Sequence, residues 1–192
     1  MLILASASPR RQALLRQIGA SFRVMPTAAE ELGGRGLSPE ALVCENARRK
    51  ALAALPEAAG VPVLAADTVV SLDGEIFGKP RGGAEAEEML SRLSGRRHTV
   101  YTGVAVAAGR RMEVAAARTI VEFASLTAEE IRRYVATGEP LDKAGAYAVQ
   151  GRAAVFITRI EGSFSNVVGL PLHLTAVLAE RAGIDLYDHD GA

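Results

Sequence analysis

The chain has a single cysteine, Cys44, no tryptophan, and aromatic side chains at only 5% of its 192 positions. One thiol excludes an intrachain disulfide and a cysteine zinc cluster, and it suits a reducing compartment. Net charge is also lacking, since 22 basic residues balance 22 acidic ones. The broad positive field of a non-specific nucleic-acid binder is therefore missing, and no basic strip interleaved with stacking rings replaces it. No apolar run reaches the roughly 20 residues that span a bilayer, and Arg10 and Arg11 interrupt any apolar core of a secretory leader. These absences predict a cytoplasmic protein with neither nucleic acid nor membrane among its partners. Lysine is scarce too: of the 22 basic residues only Lys50, Lys79 and Lys143 are lysines. An ammonium is a compact point charge that binds phosphate differently from the planar arginine fork. Lysines that persist in so arginine-rich a chain mark positions where the exchange is costly, unless they survive by chance at exposed sites.

With 49% hydrophobic residues, the chain can bury a substantial core, and residues 1–192 read as one domain of two lobes sharing a sheet. The stretch Val63 to Pro80 organises the rest. Val63 to Ala66 has the length of a buried strand and delivers Asp67 and Thr68 where burial is expected to stop. Asp73-Gly74 then supplies a two-residue hairpin turn, both of whose central positions need positive φ. A short return strand ends at Gly78-Lys79-Pro80, where the proline keeps Lys79 out of helix. A carboxylate and an ammonium thus flank one hairpin, which suits chemistry on phosphate.

Elsewhere Ser8-Pro9 and Ser38-Pro39 open helices in the favoured order of cap and proline. The first helix start gathers free backbone N–H groups, Ser6, Ser8, Arg10 and Arg11, an anion site unless it is an ordinary cap with two solvated arginines. The second helix is expected to reach about Leu55, carrying Lys50 near its end. Between them, residues 27–36 form a loop with the carboxylate pair Glu30-Glu31. Ala84 to Ser94 reads as an amphipathic helix with Ala86, Met89, Leu90 and Leu93 inward. His98 to Ala107 and Met112 to Phe123 read as a long hairpin, and Thr127 with Glu130 as a capping box. Pro140 to Gly151 is too rich in glycine and small residues for plain helix or strand and is expected to let backbone approach a ligand. Ala153 to Ile160 reads as a strand with Ser163 to Val168 as its return, Pro171 opens a last helix, and Tyr187 to Ala192 is expected to fray. Strands interleaved with helices and hairpins predict a mixed α/β sheet flanked by helices. His98, His173 and His189 lack metal-ligand spacing, and Tyr134 and Tyr147 could stack on a base, although core packing is the commoner use of tyrosine.

With these pieces in order the sequence resembles the Maf family of nucleotide pyrophosphatases. The stretches that carry the resemblance are Ser6 to Arg11, Ala65 to Val70, Gly78-Lys79-Pro80, Leu93-Ser94-Gly95, Glu139 to Gly151 and Val168 to Pro171. It implies an elongated mixed sheet with a cleft between two lobes, similar to inosine triphosphate pyrophosphatases. It also implies hydrolysis of a nucleoside triphosphate to monophosphate and pyrophosphate with Mg2+ or Mn2+, and a homodimer. Carried over residue by residue, Asp67 matches the family's proton acceptor, Ser6, Arg11, Lys50 and Lys79 its phosphate-binding residues, and Glu31 with Asp67 its metal site. One departure stands before Lys50, where the family usually has leucine-alanine and this chain reads Glu45-Asn46-Ala47.

Three further positions separate the family's branches, and here they are Arg10, Thr68 and Gln150. The set resembles the branch acting on dTTP and UTP, whereas the 7-methyl-GTP branch has an aromatic residue at the first and an acid at the third. The amide of Gln150 both donates and accepts, which suits a pyrimidine's carbonyl and N3–H edge. A related pyrophosphatase of purine or broad preference, and a non-enzymatic regulator of septum formation, are the competing readings.

Overall fold

The computed structural model describes residues 1–34 and 36–186. Arg35 in the first long loop, His189, and the expected frayed end from Tyr187 to Ala192 lie outside them. Strand β1 (Leu2–Leu4) pairs in parallel with β2 (Phe22–Val24) and with β3 (Val63–Leu72), Ile3 standing opposite both Arg23 and Val63. Parallel neighbours require a crossover, and helices α1 (Pro9–Gln17) and α2 (Pro39–Ala54) supply the two. Strand β4 (Glu75–Phe77) returns antiparallel on β3. Its turn residues Asp73 and Gly74 have φ of 50° and 84°, the left-handed pair that the turn demands.

Helix α3 (Gly83–Leu93) follows, then β5 (Arg97–Ala108), β6 (Arg111–Phe123), α4 (Ala128–Val135), β7 (Ile157–Glu161), α5 (Phe164–Val168) and α6 (Leu172–Arg181). The sheet order is β2-β1-β3-β5-β6-β7, with β4 on β3. The architecture is the expected mixed α/β, a seven-stranded sheet flanked by helices. Among the described residues no helix is long and apolar enough to cross a membrane.

The chain divides into two compact units, one of Met1–Asp67, Thr102–Ala117 and Gly169–Ala192, the other of Thr68–Tyr101 and Arg118–Val168. The core of the first is built from small residues. Ala47, Ala51 and Ala54 of α2 pack with Val63 and Ala65 of β3 and Ala105 and Ala107 of β5. Gly103 completes the arrangement, because a Cβ there would lie 2.3 Å from the carbonyl oxygen of Val43. The helix backbone therefore rests directly on the strand. Side chains alternate along β3, so Asp67 continues the face that carries Val63 and Ala65 toward α2.

In the second unit α3 buries Ala86, Met89, Leu90 and Leu93, the predicted face. Helix α4 starts at the predicted capping box, Thr127 accepting from the Glu130 N–H while the Glu130 carboxylate accepts from the Thr127 N–H. His98 is 2% exposed, packs edge-on against Phe123 and Tyr147, and shares a hydrogen bond between Nε2 and the Tyr147 hydroxyl at 2.8 Å. Burial lowers its pKa to about 4.

Four local readings are corrected. Burial does not stop at Asp67; β3 continues to Leu72 with Val69 to Leu72 all buried, so Asp67 lies within a strand rather than at its end. Strand β2 is a three-residue edge that the pattern did not mark. Arg152–Phe156 forms a 3-10 turn before β7. Ser163 to Val168 is no return strand. Ser163 Oγ accepts from the Asn166 N–H, and Asn166 Nδ2 donates to the Val100 carbonyl at 3.1 Å and to Thr119 Oγ1 at 2.9 Å, which holds the segment as α5. These tertiary bonds override the β-branched character of the segment.

Two outcomes follow from this packing. Gly103→Ala is expected to push α2 off the sheet and to destabilise the protein by about 3 kcal/mol, lowering the apparent Tm by roughly 10 °C; a melt within about 2 °C of wild type would show that the helix is not so seated. For His98 the sign is set by a folded pKa near 4 beneath an unfolded value of 6.5. Below pH 6.5 the unfolded chain takes up a proton that the folded chain refuses, so stability falls as pH descends toward 4, by on the order of 3 kcal/mol. Urea titrations at several pH values are expected to show His98→Gln flattening that slope, and an unchanged slope would contradict it.

Candidate active site

A carboxylate inside an apolar strand needs partners, and the first unit provides them from α2. Asp67 is 6% exposed. Its Oδ1 accepts from Lys50 Nζ at 2.7 Å, and its Oδ2 accepts from Asn46 Nδ2 at 3.0 Å. Lys50 and Asn46 are four residues apart on one helix, hence on one face. The same ammonium donates to Glu31 Oε1 at 2.7 Å. Lys50 is 13% exposed in its side chain while Glu31 is 54% exposed, so the cluster runs from buried Asp67 outward to a carboxylate in water.

The start of α1 adds a second cation. Ser6 Oγ, itself buried, accepts from the Ser8 N–H at 3.3 Å and from Arg11 Nη1 at 3.1 Å. Arg11 Nε donates to the Gly169 carbonyl at 2.8 Å, which ties α1 to the segment before α6. Burial lowers the Arg11 pKa, opposed by the negative charges of Asp67 and Glu31 and aided by the positive charge of its neighbour Arg10. The guanidinium thus lies in the field of both carboxylates. Ser8 caps the helix by position only, without a side-chain hydrogen bond.

Ser6, Arg11, Glu31, Lys50 and Asp67 are therefore brought together, with Arg10 half-buried beside them. Lys79, Thr68 and Gln150 belong to the second unit. Thr68 is half-buried and follows Asp67 in the chain, whereas Lys79, after β4, and Gln150 are exposed. The segment around Gln150 is built on Glu139. That carboxylate accepts from the Tyr134 hydroxyl at 2.9 Å and from the Arg152 N–H at 3.0 Å, and a Cβ on Gly151 would strike it at 2.5 Å. Gly145, with φ of 69°, lies where a Cβ would meet Val70 at 2.7 Å. Here the small residues let backbone approach protein side chains. Lys143 donates to the Glu139 carbonyl at 2.7 Å and pairs with Asp142, which gives it a local structural role.

Asn46 is the residue that the sequence pattern did not single out. The signal was present: α2 buries Leu42, Val43, Asn46, Ala47 and Ala51, and a polar side chain on such a stripe needs a buried partner.

Glu31 and Asp67 are the carboxylates here that could hold a divalent cation. Their oxygens are hard donors whose shared partner in this structure is the Lys50 ammonium, so a divalent cation would be held on the lone pairs left beside it. Among the described residues no group of three or more His, Cys, Asp or Glu forms a dedicated cage. Magnesium commonly binds through one or two carboxylates and completes its shell with water and substrate phosphate.

The family model described as Maf-like protein matches residues 1–182. A dTTP/UTP pyrophosphatase of Symbiobacterium thermophilum is 52% identical over 186 residues, 97% of this chain and 96% of that one. Proteins of the same description from Pelotomaculum thermopropionicum and Myxococcus xanthus are each 51% identical, covering 96% and 97% of this chain and 98% and 94% of their own. A solved HAM1 protein from Coxiella burnetii aligns at 18% identity with a TM-score of 0.49, over 94% of this chain and 100% of its own. Matched by one family model over all but its last ten residues, and half identical to these relatives along nearly its whole length, the chain belongs to the Maf family.

Proposed function

We propose that the chain hydrolyses dTTP and UTP to the monophosphate and pyrophosphate, with Asp67 as the group that takes the proton of the attacking water. The observation that carries this is the buried Asp67 gripped by Lys50 and Asn46, with Glu31 and Arg11 beside it. The relatives' names supply the substrate. A triphosphate carries about four negative charges, and its barrier to attack is mostly electrostatic.

In the proposed step water forms a bond to the α-phosphorus as the bridging bond to the β-phosphate breaks, and pyrophosphate leaves with the electron pair. Each oxygen of Asp67 spends one lone pair on Lys50 or Asn46 and keeps another for the water's proton. Lys50 engages two of its three N–H donors among the described residues, leaving one for phosphate oxygen. Arg11, fixed by Gly169 and Ser6, adds a charge that cannot be lost at working pH. Lys79 is assigned to the outer phosphates, and Arg10, Thr68 and Gln150 to choice of base. A bound Mg2+ or Mn2+, held by Glu31 and Asp67, would supply further neutralising charge. Such nucleotides belong to the cytoplasm.

Pyrophosphate release across a panel of canonical and modified triphosphates, with and without Mg2+ or Mn2+, tests the reading. Turnover is expected to be greatest on dTTP and UTP and to vanish with a chelator, while a purine optimum or inertness on every triphosphate would overturn it. Asp67→Asn keeps the side-chain shape and removes the base, so kcat is expected to fall about 10³-fold with the circular dichroism spectrum unchanged. A kcat within about tenfold of wild type would deny Asp67 that role.

A further inference from the structure

We propose that Asn46 is a positioning residue that straps the Glu31 loop to the Asp67 strand and so fixes the spacing of the two carboxylates around Lys50. Its amide is 3% exposed, and every polar valence in view is directed at one of these two segments. Nδ2 donates to Asp67 Oδ2 at 3.0 Å, while Oδ1 accepts from the Leu32 N–H at 2.8 Å and Nδ2 reaches the Leu32 carbonyl at 3.4 Å. Leu32 follows Glu31 directly. Among the described residues, the backbone hydrogen bonds of the stretch from Pro26 to Leu37 are those of Leu32 with Asn46.

The Glu31 side chain is more than half exposed, so its own ion pair with Lys50 holds it weakly. Its position is therefore set by the backbone beside it, and that backbone is set by Asn46. Neither leucine nor aspartate reproduces the arrangement. Leucine bonds to nothing, and an aspartate still accepts from Leu32 but cannot donate to Asp67. The inference rests on reading Glu31 and Asp67 as the carboxylates that take a divalent cation.

The experiment compares wild type, Asn46→Leu and Asn46→Asp by amide hydrogen exchange at Leu32, by Mn2+ titration without nucleotide followed by electron paramagnetic resonance, and by kcat and KM on dTTP. Outer partners of ion ligands typically contribute 10–100-fold in affinity, so Asn46→Leu is expected to weaken Mn2+ binding about tenfold or more, to release the Leu32 amide, and to leave exchange in the body of β3 slow. A folded Asn46→Leu protein whose Leu32 exchange or Mn2+ affinity stays within about twofold of wild type, well inside that range, would overturn the proposal. Asn46→Asp is expected to keep Leu32 protected while losing turnover, since one end of the strap survives and the other repels Asp67. Fast Leu32 exchange or wild-type kcat in that variant would equally overturn it, including where Asn46→Leu does not fold. If wild type cleaves no triphosphate, the nucleotide reading fails by itself, and the exchange and Mn2+ measurements still decide the strap.

Discussion

Removing a carboxylate from water costs several kcal/mol unless charge and hydrogen bonds replace the lost hydration. Asp67 makes that demand in the middle of a ten-residue strand whose other members are almost all buried. The first unit answers with one helix face, where Lys50 meets one oxygen and Asn46 the other. The helix can come that close because its contact face is alanine and the strand opposite it has Gly103. A packing choice made of the smallest residues thus puts an ammonium and an amide on a buried acid. Once there, the ammonium has capacity left for Glu31 and for an anionic ligand.

The second unit solves a different problem. Around Glu139 it assembles a tight turn from Tyr134, Gly151 and Arg152, and this turn carries Gln150 outward into solvent. The aromatic group of His98, Phe123, Tyr147, Tyr134 and Phe156 lies beneath, each ring edge-on to another. The first unit gathers Arg11, Glu31, Lys50 and Asp67, and the second presents the exposed amide of Gln150.

Much of this was legible in the residues. Serine-proline pairs, the Asp-Gly turn and the Thr127 capping box act through local chemistry, and their elements formed where expected. Ser6, Arg11, Glu31, Lys50 and Asp67 stood out as charges or hydroxyls next to structural punctuation, and the fold gathers them. What failed was decided by tertiary partners. Asp67 and Thr68 read as the end of a strand because a polar pair normally marks solvent, yet the partners on α2 bury Asp67 and the strand continues past a half-buried Thr68 to Leu72. Ser163 to Val168 reads as strand by composition, and the hydrogen bonds of Asn166 make Phe164–Val168 helix. Asn46 was passed over because a polar residue within a helix usually faces water. Only the neighbouring apolar positions revealed that it does not.

A crystal structure of the protein with Mg2+ and a dTTP analogue whose α,β-bridge resists hydrolysis would examine the gathered charges as a working site. The α-phosphate is expected beside Asp67, with a phosphate oxygen within hydrogen-bonding distance of Lys50 and the metal shared by Glu31 and Asp67. A triphosphate bound elsewhere, leaving Asp67 sealed between Lys50 and Asn46, would show that the buried acid serves only to hold the helix on the sheet.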